Sequence, residues 1–388
     1  MAKSRFIRRD NKTTAWASIV SAVVFCTFSF VYLFYYQDDL LTMEQHVLSK
    51  GLTHYNRFLG ATIITAILYL AHVGIDTATR RCSKHPALTY FMPAMALAIM
   101  TDINPDVDKE FSFGKWLWLM PLLTVVYAAV TFVSAQLLAN NDGPSHKSGA
   151  RIIWENMLIM ASFFLFICGT ANTDRIFHQR MRIERLIDEG KFKEALNVGK
   201  GSYAPTDSST TMLRVYALSK TNSLGETLFE YRIKGGSKSL LPNGTSVKTM
   251  LYSDTLVFHH VAEMSKQKMP PMVYLKWMKK HGWAKAPLED YLLAGYLLDK
   301  DIDGFAREFK ASKYTGKKVL PKHFKEALVL YCHIRSNPVV KIHDEVMEAD
   351  YQDFMNIIKN TSDKRQRKFC IQTNYANTYW FYYWFQQD

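Results

Sequence analysis

Apolar positions fall into two regimes along this chain. Through the first 170 residues they form long uninterrupted runs; beyond that they recur at helical spacing among charged residues. The first run, Ala15 to Tyr36, holds 22 residues without a charge. About 20 apolar residues at helical rise cross the hydrocarbon core of a bilayer, so residues 15–36 are expected to span a membrane. The run closes on Tyr32, Phe34, Tyr35 and Tyr36, rings that favour the headgroup boundary. It lacks the short apolar stretch and small-residue cleavage site of a secretory leader, which predicts a retained anchor. Four further runs predict spans at 58–75, 87–101, 116–138 and 152–169. The third is the shortest and contains Pro93.

From Asp174 the pattern becomes amphipathic. Ile183, Leu186 and Ile187 lead into Asp188-Glu189-Gly190-Lys191-Phe192, and Ala195, Leu196 and Val198 follow. This spacing predicts two helices joined by a short turn. Glycine closes the first helix in a left-handed conformation that a Cβ disfavours; the aromatic wedges between the helices, and the small Ala lets them approach. The same order recurs at Met212–Phe229, with its turn near Leu224, and at Tyr291–Phe309, with its turn near Asp303. Residues 234–246, rich in Gly, Pro and Ser, predict a loop. The prolines in Lys268–Pro271 and Ser336-Asn337-Pro338 predict helix breaks. The densely aromatic tail Asn374–Asp388 is expected either to cap this domain or to lie at the membrane interface.

The turns near Gly190 and Leu224 lie about 34 residues apart, the tetratricopeptide period. Over roughly residues 174–337 the chain resembles a degenerate tetratricopeptide-like α-solenoid, without the full Trp, Gly, Tyr, Ala and Pro set. A bundle of spans followed by such repeats also resembles an uncharacterised family of bacterial inner-membrane proteins, a domain of unknown function. That likeness implies architecture and membrane, and no activity. The expected fold is therefore all-α. A basic cytoplasmic tail (1–14) precedes a polytopic transmembrane bundle of about five spans (15–172), and a soluble, tetratricopeptide-like solenoid (173–388) follows.

Charge bears on orientation. The tail carries Lys3, Arg5, Arg8, Arg9 and Lys12, and basic segments stay in the cytoplasm. With five spans, the inner segments hold these five plus Arg80, Arg81, Lys84, Lys147 and Arg151; the outer loops hold Lys50, Arg57, Lys109 and Lys115. Removing the third span exchanges Lys109 and Lys115 for Lys147 and Arg151 and leaves the same ratio, so counting cannot choose. Arg175, Arg180, Arg182 and Arg185 favour a cytoplasmic domain. The uncharged 87–101 run and the acidic loop Asp102, Asp106, Asp108 and Glu110 behind it favour five spans and a periplasmic one, which is the expectation adopted. The net charge is +13, and ten of those charges fall beyond Asn172. Such an excess points to an anionic neighbour, for which lipid headgroups are the nearest candidate and nucleic acid is not expected.

Candidate chemistry is sparse. His72 and Asp76 share a helical face, and Glu155 stands four residues from Arg151. Ionisable residues inside spans are functional candidates because their burial is costly, yet all of these fall near span ends, where a local pair accounts for them. Asp299-x-Asp301-x-Asp303-Gly304 opens like a calcium loop, but the twelfth position, where a bidentate Glu belongs, is Lys310. His259-His260 predicts ordinary packing. Among the five cysteines, Cys26 and Cys168 sit in apolar runs, Cys82, Cys332 and Cys370 stand alone, and a Cys332–Cys370 disulfide is the weaker alternative to two free thiols. Asn243 and Asn360 open glycosylation sequons that carry meaning only in a eukaryotic secretory pathway. No catalytic, cofactor-binding or metal-binding residues are assigned. The function expected is a membrane-anchored scaffold binding a protein or peptide on its helical-repeat surface. The alternative is a component of a polytopic enzyme or transporter acting on a lipid-linked or small substrate; a polar pocket on which His72, Asp76, Asp102 and Glu155 converge would support it, and an apolar, closed bundle would count against it.

Overall fold

The computed structural model describes residues 13–79, 86–107, 114–140, 149–201, 204–263, 269–361 and 363–386. Among them every regular element is helical, and the one extended pairing is an isolated bridge between Ala262 and Ala284. The chain divides into two compact units, Met1–Asp174 and Arg175–Asp388.

In the first unit, α1 (Thr13–Val31) passes through a π-helical turn, Tyr32–Tyr36, into α2 (Asp38–Leu48). Then come α3 (Arg57–Thr79), a 3-10 turn (Pro86–Tyr90) continuing into α4 (Phe91–Thr101), α5 (Trp116–Asn140) and α6 (Gly149–Thr170). Four segments, Ala15–Tyr36, Arg57–Ala78, Trp116–Val133 and Ala150–Thr170, are long and apolar enough to cross a membrane. They match four of the five expected spans. Their outward faces are apolar: Val23, Ile63, Ile67, Trp118, Val125 and Leu158 are all exposed. A continuous surface of this kind suits hydrocarbon and is disfavoured in water.

The expected third span, 87–101, is the element Pro86–Thr101, shorter and more enclosed than the rest. Ala87, Tyr90, Ala94, Leu97 and Ala98 are buried among α1, α3 and α6. Its length is about 26 Å, against about 30 Å of hydrocarbon. A helix end in apolar surroundings must find partners for its free N–H and C=O groups. Pro86 has no N–H to satisfy, and Asn156 Oδ1 accepts the next one, from Ala87, at 2.9 Å. At the other end the Asn172 N–H donates to Thr101 O at 3.0 Å, and its Nδ2 to Ile103 O at 2.7 Å. Two asparagines, in and just beyond α6, thus hold both ends of the short element, which runs parallel to α6.

The remaining directions follow from ring contacts. Phe28 of α1 stacks on Phe164 at 3.9 Å, and Tyr32 and Tyr36 share a cavity with Cys168 and Thr173, so α1 also runs with α6. Helix α3 runs against them, meeting Phe34 through Arg57 at its start and Tyr90 through His72 later. Helix α5 does too: Lys115 donates to Thr170 O at 3.1 Å, and Trp116 packs edge-on against Phe166. The start of α1, the end of α3, Pro86, the end of α5 and the start of α6 therefore share one end of the bundle. The π-turn, Arg57, Thr101, Lys115 and Asn172 share the other. At this second end the widened turn frees a carbonyl, and Arg57 Nε donates to Phe34 O at 2.6 Å while pairing with Asp38 at 3.2 Å.

The second unit comprises α7 (Arg175–Asp188), α8 (Phe192–Asn197), α9 (Ser208–Lys220), α10 (Leu224–Thr227), α11 (Asp254–Val261) and α12 (Pro271–Lys280). It continues with α13 (Leu288–Leu298), α14 (Ile302–Lys310), α15 (Lys322–Ile334), α16 (Glu345–Asn360), α17 (Lys364–Tyr375) and α18 (Tyr379–Phe385). The three expected hairpins are α7–α8, α9–α10 and α13–α14. Each turns through one left-handed residue, Gly190 (φ 72°), Asn222 (φ 54°) and Lys300 (φ 58°). Residues 234–246 hold only a 3-10 turn, Gly236–Ser239, yet Leu240 and Leu241 are fully buried, so this stretch belongs to the core. Pro271 opens α12 at a position whose N–H has no helical partner, and Pro338 follows the end of α15. Of the two expectations for the aromatic tail, the structure has the cap: Tyr379, Trp380 and Tyr382 are buried against α15 and its neighbours. Neighbours pack from α7–α8 to α9 and from α15 to α16 and α17, while long-range contacts join α10 to α13 and α15 and bring α18 back onto α15.

Candidate functional site

Of the ionisable residues singled out in the first unit, Asp102 lies at the opposite end of the bundle from His72, Asp76 and Glu155. Asp102 pairs with Lys115 at 2.9 Å and accepts from Trp116 Nε1 at 2.8 Å, beside Thr170 at the end of α6. Glu155 pairs with Arg151 at 3.1 Å, fifteen residues or about 22 Å back along the same helix. His72 is buried and stacks on Tyr90 with 3.6 Å between ring centroids. Its Nδ1 lies 3.0 Å from Thr89 Oγ1. Because that hydroxyl donates to Pro86 O at 2.7 Å, the ring is the donor, in the Nδ1–H tautomer. The imidazole thereby braces the 3-10 turn, a packing role.

In the second unit the acidic turn separates its carboxylates. Asp299 accepts the Ser237 N–H at 3.0 Å, Asp301 caps α14 by accepting the Gly304 N–H at 2.8 Å, and Asp303 forms a two-point pair with Arg335. Three carboxylates aimed at three partners make a turn and a helix cap. Cys332 and Cys370 are free thiols. His260 hydrogen-bonds Ser219 at 2.8 Å; burial, aided by nearby Lys220 and Lys285, pushes its pKa down to about 4.

Two buried carboxylates carry no periodic signal and become visible only in the fold. Glu184 of α7 accepts the backbone N–H groups of Met250, Leu251 and Tyr252, tying an irregular segment to the first hairpin. Its pKa lies above the usual carboxylate range because burial outweighs those hydrogen bonds and the neighbouring Arg180. Glu326, 1 % exposed, accepts from His323 Nδ1 at 2.9 Å and from the Tyr379 N–H at 2.7 Å.

A concavity in the second unit lies over α15. One wall is the end of α14 and the turn after it, which reverses at Gly316 (φ 78°). The opposite wall is the arm 339–344, bound by Tyr331 OH accepting the Val339 N–H at 3.2 Å. The cavity measures about 530 Å³. Phe309, Leu320, Leu328 and Ile342 provide apolar lining, while Lys310, Lys317, Lys318, Lys325 and Lys341 add positive charge. Four of these come from the basic run 310–325. Lys313 and Lys322 from the same run turn away, to Asp290 at 2.9 Å and to Asn377 O at 3.1 Å. Lys341 and His343 arrive on the arm, which helical spacing cannot anticipate. Outside the cavity, Lys279 pairs with Glu308 at 2.6 Å and Lys285 donates to His259 O at 2.6 Å. Arg367 donates to Thr361 O at 2.8 Å.

Residues 283–386 match a family of unknown function, DUF6057. The segment contains the whole concavity, the Glu326 contacts and the aromatic cap. No curated protein and no solved structure matches the chain.

Proposed function

We propose that this protein is a membrane-anchored scaffold of the bacterial inner membrane, whose second unit is a tetratricopeptide-like solenoid that binds a protein or peptide partner. The observation that carries this reading is the set of helical hairpins α7–α8, α9–α10 and α13–α14 packed on one shared core, with α10 also meeting α13 and α15. Helical hairpins stacked in a row bury a shared core and leave an extended surface for a partner. Three hairpins turning through Gly190, Asn222 and Lys300 support it, as does the single continuous core running from Ile183 to Tyr382.

Five passes with a periplasmic second unit are favoured by the directions of the helices. The Pro86–Thr101 element runs parallel to α6, so Asp102 and Lys115 belong to the same end as Arg57 and Asn172. By sequence, five passes leave Lys50, Arg57, Lys109 and Lys115 in the outer loops and ten basic residues in the inner segments. Arg57 and Lys115 are moreover paired with Asp38 and Asp102. The positive-inside bias then leaves the N-terminal tail in the cytoplasm.

Cross-linking in intact cells, purification and mass spectrometry test the scaffold. One stoichiometric partner cross-linked to α7–α18 is expected, and purification without any would count against it. Labelling of single cysteines placed at exposed Ser336 and Asn360 by a membrane-impermeant maleimide tests the side. Labelling only after lysis would place the unit in the cytoplasm.

A further inference from the structure

We infer that the lysine-lined cavity over α15 binds a phosphate group attached to a compact apolar body. Four of its ammonium groups are uncommitted: no ion pair among the described residues takes Lys310, Lys317, Lys318 or Lys341, whereas Lys325 is neutralised by Asp344 at 3.1 Å. Lys317 also lies 5.2 Å over the ring of Tyr314, which lines the same cavity. Cations converging on one concavity raise the local concentration of an anion. The kind of cation selects the kind of anion. Planar carboxylates are best recognised by the two-pronged guanidinium, and no arginine lines this cavity. Lysines act as point charges and suit the tetrahedral oxygens of phosphate.

The lining also distinguishes a phosphate ester from bare phosphate. Tyr314, Leu320 and Ile342 are partly exposed side chains that line the cavity, and they offer apolar contact that an inorganic ion cannot use. A volume near 530 Å³ is the size of an ordinary small-ligand site. It admits a phosphate with a ring or a short chain, and no more than the head region of a lipid. The inference is independent of the scaffold reading, since a folded chain lacking any protein partner would still bind the ester.

The test uses the full chain in neutral detergent and isothermal titration calorimetry. The probes are phenyl phosphate, inorganic phosphate, benzoate and monomeric dihexanoyl phosphatidic acid. Phenyl phosphate or the short lipid is expected to bind saturably, at least about tenfold tighter than benzoate and inorganic phosphate. The source follows from which of the two is tighter: the lipid indicates a headgroup site, phenyl phosphate a soluble ester. Lys318→Glu with Lys341→Glu should weaken binding about tenfold or more, while Lys280→Glu with Lys359→Glu, exposed lysines outside the cavity, should change it less than about twofold. Circular dichroism confirms that both double variants keep their helices. Esters binding no tighter than benzoate, or equal losses in the two double variants, would overturn the site.

Discussion

Asn156 Oδ1 accepts the Ala87 N–H at 2.9 Å, joining the second turn of α6 to the start of a different, shorter helix. The same amide donates Nδ2 to Ile152 O at 2.8 Å, so both of its polar ends are used in a place where water does not reach. Replacing Asn156 with Ala leaves an N–H orphaned among apolar side chains. The expected loss is about 1–3 kcal/mol, seen as a lower midpoint of thermal unfolding in detergent. Asn156→Ala combined with Asn172→Ala should fall short of, or exceed, the sum of the single losses, because the two residues hold one element. Strict additivity would mean that the ends are independent.

Glu326 connects α15 to the aromatic cap through Tyr379, and His323 completes the link. The Phe229 N–H donates to His323 Nε2 at 3.2 Å, which leaves Nδ1 to carry the proton toward Glu326. Glu326→Ala would strand both donors in a buried setting, at a cost of about 3 kcal/mol. Its indole donor Nε1 bonds Glu326 O at 2.8 Å, so Trp380 should report the loosened cap as a red-shifted fluorescence. An unchanged emission with lower stability would mean that the cap stays docked.

His260 predicts a pH dependence with a definite sign. Its folded pKa of about 4 lies below the ordinary 6.5, so the unfolded chain takes up a proton first as the pH falls. Stability from this group is complete above about pH 6.5 and is lost progressively toward pH 4. Partial exposure screens the effect, leaving about 2 kcal/mol between pH 7 and pH 4.5. Urea unfolding at the two pH values should differ by that much less in His260→Gln. An identical difference in both proteins would remove His260 as the cause.

Asp301 and Asp303 separate a helix cap from a surface pair. Asp301→Ala removes the cap of α14 and should cost about 1 kcal/mol at any salt concentration. Asp303→Ala breaks the exposed pair with Arg335 and should cost less than about 1 kcal/mol, shrinking further in high salt. Because the three carboxylates of this turn face different partners, millimolar calcium should leave the melting midpoint unchanged; a calcium-dependent rise would restore the ion-site reading.

Much of this architecture is legible in the sequence for simple reasons. Crossing a bilayer requires a minimum apolar length, so Ala15–Tyr36, Arg57–Ala78, Trp116–Val133 and Ala150–Thr170 announce themselves. Hairpin turns at Gly190, Asn222 and Lys300 follow from helical periodicity interrupted by short polar turns. Both are local properties, fixed by the residues within a window of a few turns. What only the tertiary structure decided depends on residues far apart in the chain. The direction of Pro86–Thr101 rests on Asn156 and Asn172, and the docking of the aromatic tail rests on Glu326. The choice of which lysines share a cavity rests on an arm that returns Lys341 opposite Lys318. A hydrogen bond or a convergence of charges between such residues has no period, because it forms only where separate elements meet.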